Sequence, residues 1–181
     1  MGILKKRSFA AIVLVLVILV FTPIGVSMAM SSFADRAENV FYGEKDINYQ
    51  LENRYKNAVL MVSTTNVIPD LAQQTNNLRA AADALYDAQT IKDKNSANIG
   101  LQDAVDKLYS AAINSSAFNS DPQRLEDLNY YRNIIDNAQW VINSSEYNTV
   151  VDEYYQARST FPANLFGVFI SDKNAPVYFN S

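Results

Sequence analysis

Residues 47–62 read Ile-Asn-Tyr-Gln-Leu-Glu-Asn-Arg-Tyr-Lys-Asn-Ala-Val-Leu-Met-Val. Within them Ile47, Leu51, Tyr55, Ala58, Val59 and Val62 recur at steps of three and four, the stripe of an amphipathic helix. That spacing predicts a helix with one face buried against neighbours. Alternation at period two is nowhere sustained, so a sheet is not supported. Beyond residue 31 the only breakers are Gly43, Gly100 and Gly167 with Pro69, Pro122, Pro162 and Pro176. Interruptions this sparse favour helices.

Working outward, Asn66 to Pro69 ends or kinks this first helix, because the residue before a proline disfavours the helical region and proline lacks a donor. A second run, Pro69 to about Lys92, carries Leu71, Leu78, Ala82, Leu85 and Tyr86. The polar stretch Lys92 to Asn98 reads as a turn, and Ile99, Leu101, Val105, Leu108, Ala112 and Ile113 form a third run. Ser120 or Asp121 before Pro122 is a cap followed by a first-turn proline. It opens a long helix through Leu125, Leu128, Tyr131, Ile135, Ala138, Ile142, Val150, Val151 and Tyr154, ending at Phe161-Pro162. The expected fold is all-α: an elongated antiparallel bundle of about four helices in residues 31–181, behind one N-terminal transmembrane helix.

The membrane expectation rests on residues 1–35. Lys5, Lys6 and Arg7 precede a stretch, Ser8 to Ala34, without a single charge. About 20 helical residues at roughly 1.5 Å each cross a hydrocarbon core, and residues 8–30 provide 23. Flanking basic residues stay cytoplasmic, so residues 1–7 form a cytoplasmic flank and the body is exported, giving a single-pass protein of the cell membrane. The same residues also describe a signal peptide cleaved before Met30, with helix-weakening Pro23 and Gly25 and the small-residue pattern Ser27-Met28-Ala29. The retained anchor is preferred, because the uncharged stretch outlasts a usual signal-peptide core.

Composition removes whole classes of chemistry. The 181 residues include no His and no Cys, so imidazole bases, thiol nucleophiles, disulfides and the common Zn sites are excluded. All three basic residues before position 31 lie in the flank, leaving 12 basic against 19 acidic residues in the body. A body that acidic neutralises few phosphates, which argues against nucleic acid. Acid pairs such as Asp83 with Asp87, Asp103 with Asp106 and Asp152 with Glu153 lack the spacing of a calcium loop and read as solvated helix faces. No Ser-x-x-Lys motif occurs either. The expectation is a protein that is no enzyme, with no catalytic, cofactor-binding or metal-ligating residues.

Several segments resemble a known family. Ile47-Asn48-Tyr49-Gln50-Leu51-Glu52-Asn53-Arg54-Tyr55 looks like the Ile-Asp-Val-Gln-Leu-x-x-Arg stretch of LemA proteins. Glu146-Tyr147-Asn148, Phe161-Pro162-Ala163-Asn164-Leu165 and Tyr178-Phe179 follow the order and spacing of the Tyr-Asn, Phe-Pro-x-Asn-Leu and Tyr-Phe elements that close that family. The resemblance covers about residues 35–181. Two elements depart from it: Ile68-Pro69-Asp70-Leu71 lies about ten residues later than the family's Ile-Pro-Asn-Leu, and Ile135-Asp136-Asn137 replaces Thr-Glu-Asn. The resemblance implies a membrane-anchored antiparallel helical bundle, and the family carries no settled biochemical activity.

Two aromatic groups are candidates for a site. Trp140, Tyr147, Tyr154 and Tyr155 would line a ligand pocket, but Tyr131, Trp140, Tyr147 and Tyr154 sit near helical spacing, which favours packing between helices. The C-terminal residues Phe161, Leu165, Phe166, Phe169, Tyr178 and Phe179 either cover one end of the bundle, the preferred reading, or form a contact surface for membrane or partner. The function expected is a membrane-anchored, non-enzymatic interaction or scaffold module at the outer face of the cell membrane. Its partners would be membrane lipid, through residues 8–30, and a protein or a second copy of itself. The alternative is an exported sensor or small-ligand-binding four-helix bundle; a sensor that signals inward needs a second span, and none follows before Ser181.

Overall fold

A computed structural model describes residues 2–43, 46–166 and 175–179, with side chains from residue 9 onward. Among the described residues all regular structure is helical. Helix α1 spans Gly2–Tyr42, α2 Ile47–Thr65, α3 Ala72–Asp87 after a 3-10 turn at Pro69–Leu71, and α4 Ile91–Asn114. They are followed by α5 at Ser116–Asn119, α6 at Pro122–Asn143, α7 at Tyr147–Ser159 and α8 at Ala163–Phe166. The chain forms two compact units: Met1–Asn39 with Tyr147–Pro176, and Val40–Glu146 with Val177–Ser181.

The larger unit is a four-helix bundle of α2, α3, α4 and α6. Helix α2 ends at Thr65, where Asn66 caps it before Pro69, as the Asn66 to Pro69 segment predicts. The chain then reverses, and the Thr75 hydroxyl of α3 donates to the Thr65 hydroxyl across the turn at 3.0 Å. Side-chain pairs set the remaining directions. Asn48 meets Lys94 and Arg54 meets Asn98, so α2 and α4 run parallel. Asn98 meets Gln139, Gln102 meets Asp136, Asp106 meets Arg132 and Tyr109 meets Asn129, the register of an antiparallel α4/α6 pair. Leu51, Ala58, Met61, Leu78, Ala82, Leu85, Leu101, Val105, Leu108, Leu128, Ile135 and Ile142 fill the core. One end is closed by the buried Phe118 of α5, and the other by Phe41 and Phe179, whose rings lie 5.4 Å apart.

Three local expectations are corrected. The stripe of α2 runs inward through Arg54 and Met61, while Val59 faces solvent and Tyr55 is half-buried. Lys92 to Asn98 is no turn but the start of α4: the Thr90 hydroxyl accepts from the Asp93 N–H at 3.1 Å and donates to the Asp93 carboxylate at 2.7 Å. This reciprocal cap nucleates a helix that then passes through Gly100 without a break. The long helix from Pro122 divides at residues 144–146. Ser144 and Ser145 close α6 by donating to the Trp140 and Ile142 carbonyls, and Ser and Asn hold a helix poorly because they compete for its backbone. The Asp121 cap is as expected, its carboxylate accepting from the Gln123 and Arg124 N–H groups.

In the smaller unit, α1 carries the apolar run. Residues Phe9 to Phe21 are exposed along almost their whole length, and Pro23 lies inside the helix without ending it. Among the described residues one helix is long and apolar enough to cross a membrane, and it is this one. Further along, Val26 and Met30 are buried against Tyr154 and Ala163, with Phe33, Ala157, Phe166 and Ala175 around them. Arg36 donates to Glu153 at 2.6 Å, and the Tyr155 hydroxyl to the Pro176 carbonyl at 3.0 Å.

Candidate functional site

The C-terminal candidates divide between the two units. Phe161 is 78% exposed and Leu165 65% exposed, which overturns the expectation that they pack as a cap. The physical reason is their turn: Ala163 and Phe166 take the inward positions against α1, so the residues between and before them point out. Phe179 is buried in the larger unit beside Phe41, while Tyr178 stays partly exposed and its carbonyl accepts from Asn95. Phe169 lies outside the described residues. Of the aromatics expected between helices, Tyr147 and Tyr154 are buried, whereas Trp140 is 70% exposed on α6.

Trp140 belongs to a face that the sequence reading passed over. From Tyr130 to Asn143 the exposed positions of α6 are Tyr130, Asn133, Asn137, Trp140, Val141 and Asn143, and none is charged. Steps of three and four put Tyr130, Asn133, Asn137 and Trp140 on one side of the helix. Surfaces that bind proteins are depleted of charge at their centre and enriched in Trp and Tyr. A signal for this face was present in the sequence: the sole Trp stands in a helix whose charged residues occupy other positions, save Glu126, exposed one turn before Tyr130 on the same side.

The inner side of the same helix is held by a polar network built on Arg54. This guanidinium is fully buried, donating from Nη1 to Asn98 Oδ1 at 2.5 Å and from Nη2 to Gln102 Oε1. Among the described residues its Nε has no hydrogen-bond partner. Asn98 donates onward to Gln139 Oε1 at 3.0 Å, and Gln102 to Asp136 at 3.4 Å and Asp106 at 3.3 Å. Arg132 bridges both carboxylates, at 3.1 Å to Asp106 and 3.3 Å to Asp136, and lies over the Tyr109 ring. Two guanidinium and two carboxylate groups therefore balance. Burial pushes Arg54 down from the ordinary guanidinium range to about 10, with Asp136 and then Asp106 opposing the fall. Arg54 stays protonated at neutral pH.

The seam has a geometric cause. Helix α2 packs closely on α6 and α3, and α3 on α4, whereas the α4 and α6 backbones approach less closely. Long polar side chains bridge that gap. Asn98, Gln102 and Asp106 recur every four residues, as do Arg132 and Asp136, so the stripe was legible as a helix-period polar ridge. The signal for Arg54 was subtler and went unread: a charge three residues after Leu51 and four before Ala58, inside the apolar stripe.

A cavity of about 340 Å³ lies between α2, α3 and α4. Leu51 and Leu85 line it, Tyr55 stacks on Tyr86 with centroids 5.0 Å apart, and Lys94 donates to Asn48 at 2.9 Å. Lys56 stands 3.8 Å from Glu52, so the cavity's charged groups already face partners within the wall. Among the described residues no three acidic side chains gather to hold a metal ion. Asp106 is engaged by Arg132 and Asp103 by Lys107. Compared with known proteins, the chain matches no protein-family model, no curated protein and no solved structure.

Proposed function

We propose that this chain is a LemA-like, non-enzymatic interaction module, anchored in the cell membrane by α1 and presenting its bundle outside the cytoplasm. The observation that carries the reading is the uncharged face of α6, where Tyr130 and Trp140 stand exposed around Asn133 and Asn137. Rigid amphipathic side chains on a fixed helix give contact area at low entropic cost. The Arg54 network supports this by fixing the α6 register from behind, so the face is pre-organised. The basic flank and uncharged stretch of α1 support cytoplasmic placement of the N-terminus. The occupant of the face is another protein or a second copy of this chain. The ligand-binding alternative rests on the cavity beside Tyr55 and Tyr86, whose paired polar rim offers a ligand little.

A photo-crosslinking residue at Asn137 of the full-length, membrane-resident protein tests the reading. The expected result is one discrete adduct that Trp140→Ala removes and that the same residue at Gln73, exposed on α3, does not give. Equal labelling from Gln73, or none from Asn137, would contradict it.

A further inference from the structure

We infer that the turn holding Phe161 and Leu165 is a second membrane contact, a foot that sets these two side chains into the interface of the same bilayer that α1 crosses. The inference rests on the membrane-anchored reading of α1 given above. All the residues involved lie in the smaller unit.

The argument is one of level along α1. Hydrocarbon about 30 Å thick takes up about 20 helical residues. Counted from Ser8, where the charges stop, that thickness ends near Ser27 and Met28. Phe9 to Phe21 are exposed as a lipid-facing span requires, and Ile24 and Met28 are exposed too. Burial begins at the same height, with Val26 and Met30 covered by Tyr154 and Ala163. Helix α8 therefore meets α1 where hydrocarbon gives way to headgroups. The Arg36–Glu153 ion pair lies ten residues beyond Val26, about 15 Å further out and clear of the hydrocarbon.

At this height the turn is internally fixed. The Asn164 N–H donates to the Thr160 carbonyl at 2.9 Å, and the Leu165 and Phe166 N–H groups to the Pro162 carbonyl at 3.1 and 3.3 Å. Ala163 and Phe166 face α1, while Phe161 and Leu165, two residues either side of Ala163, stay exposed. From Thr160 to Phe166 there is no charged residue to resist the low-dielectric side of the interface. Two large apolar groups held outward beside a lipid-facing span fit acyl chains and headgroup carbonyls. The foot also explains why Phe161 and Leu165 are not folded under.

The test uses full-length protein in phosphatidylcholine vesicles, with Trp140→Phe to remove the native fluorophore and a single tryptophan introduced by Leu165→Trp. Leu16→Trp, mid-span, and Tyr86→Trp, on the larger unit, are made in the same background. Lipids brominated at the shallow end of their acyl chains should at least halve Leu165→Trp emission, and deeply brominated lipids should quench Leu16→Trp. Tyr86→Trp should stay bright. Quenching of Leu16→Trp without quenching of Leu165→Trp overturns the foot while leaving the anchor. Failure of both overturns the anchor as well. Blue-shifted but unquenched Leu165→Trp emission means that protein covers the turn, which also overturns the proposal.

Discussion

Arg54→Ala is the most informative single substitution in the bundle. It deletes a fully buried side chain and leaves Asn98 Oδ1 and Gln102 Oε1 inside without their charged donor. It also removes the charge that offsets Asp106 and Asp136 alongside Arg132. Leaving a buried acceptor without its donor typically costs about 1 to 3 kcal/mol, and the cavity adds to this. Arg54→Met separates the contributions. It refills most of the volume and relieves the guanidinium of its desolvation penalty, so the loss should fall to within about 2 kcal/mol of wild type. Urea unfolding of the full-length protein in detergent, followed by circular dichroism and Trp140 fluorescence, measures both. An Arg54→Ala protein within about 0.5 kcal/mol of wild type would refute the claim that Arg54 organises the seam.

Three further outcomes follow from the same structure. Phe161→Ala should leave stability within about 0.5 kcal/mol in detergent, since the ring is exposed, whereas Phe118→Ala should cost about 3 to 5 kcal/mol; thermal melts of both check the contrast. Thr90→Ala should cost about 1 kcal/mol and increase amide exchange in the first turn of α4, because the Asp93 N–H loses its acceptor. For pH, the folded Arg54 value of about 10 lies below that of a free guanidinium, so the folded state loses the proton first. Burial of the charge penalises folding below pH 10, and that penalty fades as pH rises through 10. The wild-type stability measured against Arg54→Met should be flat from about pH 6 to 9 and then shift toward wild type.

The helical class was legible because it depends on breaker density and period, both local quantities. Asn66 to Pro69, Asp121 and Pro122 mark boundaries by their own backbone chemistry, and the structure puts boundaries there. The start of α4 was obscured because Lys92 to Asn98 is polar on all but one position, and polarity was taken for a turn. The Thr90–Asp93 cap was the overriding signal. Tyr55 looked like a core residue because aromatics usually are; its place is taken by Arg54, whose charge becomes tolerable only beside Asn98, Gln102, Asp136 and Asp106 from two other helices. The partners that make it so are a tertiary fact, and the sequence signals only a charge inside the apolar stripe. The exposure of Phe161 is likewise set by which residues of its turn reach Val26 and Met30, and composition alone favours burial.

The central claim is a membrane-crossing α1 with the bundle outside the cytoplasm, and thiol labelling tests it most directly because the chain has no native Cys. Gly2→Cys and Tyr86→Cys would each supply a single thiol to the full-length protein in intact cells, probed with a membrane-impermeant maleimide. The account predicts that Tyr86→Cys labels at once, that Gly2→Cys labels only after permeabilisation, and that both stay with membranes through an alkaline wash. Labelling of Gly2→Cys in intact cells, protection of Tyr86→Cys, or release of the protein by the wash would contradict it.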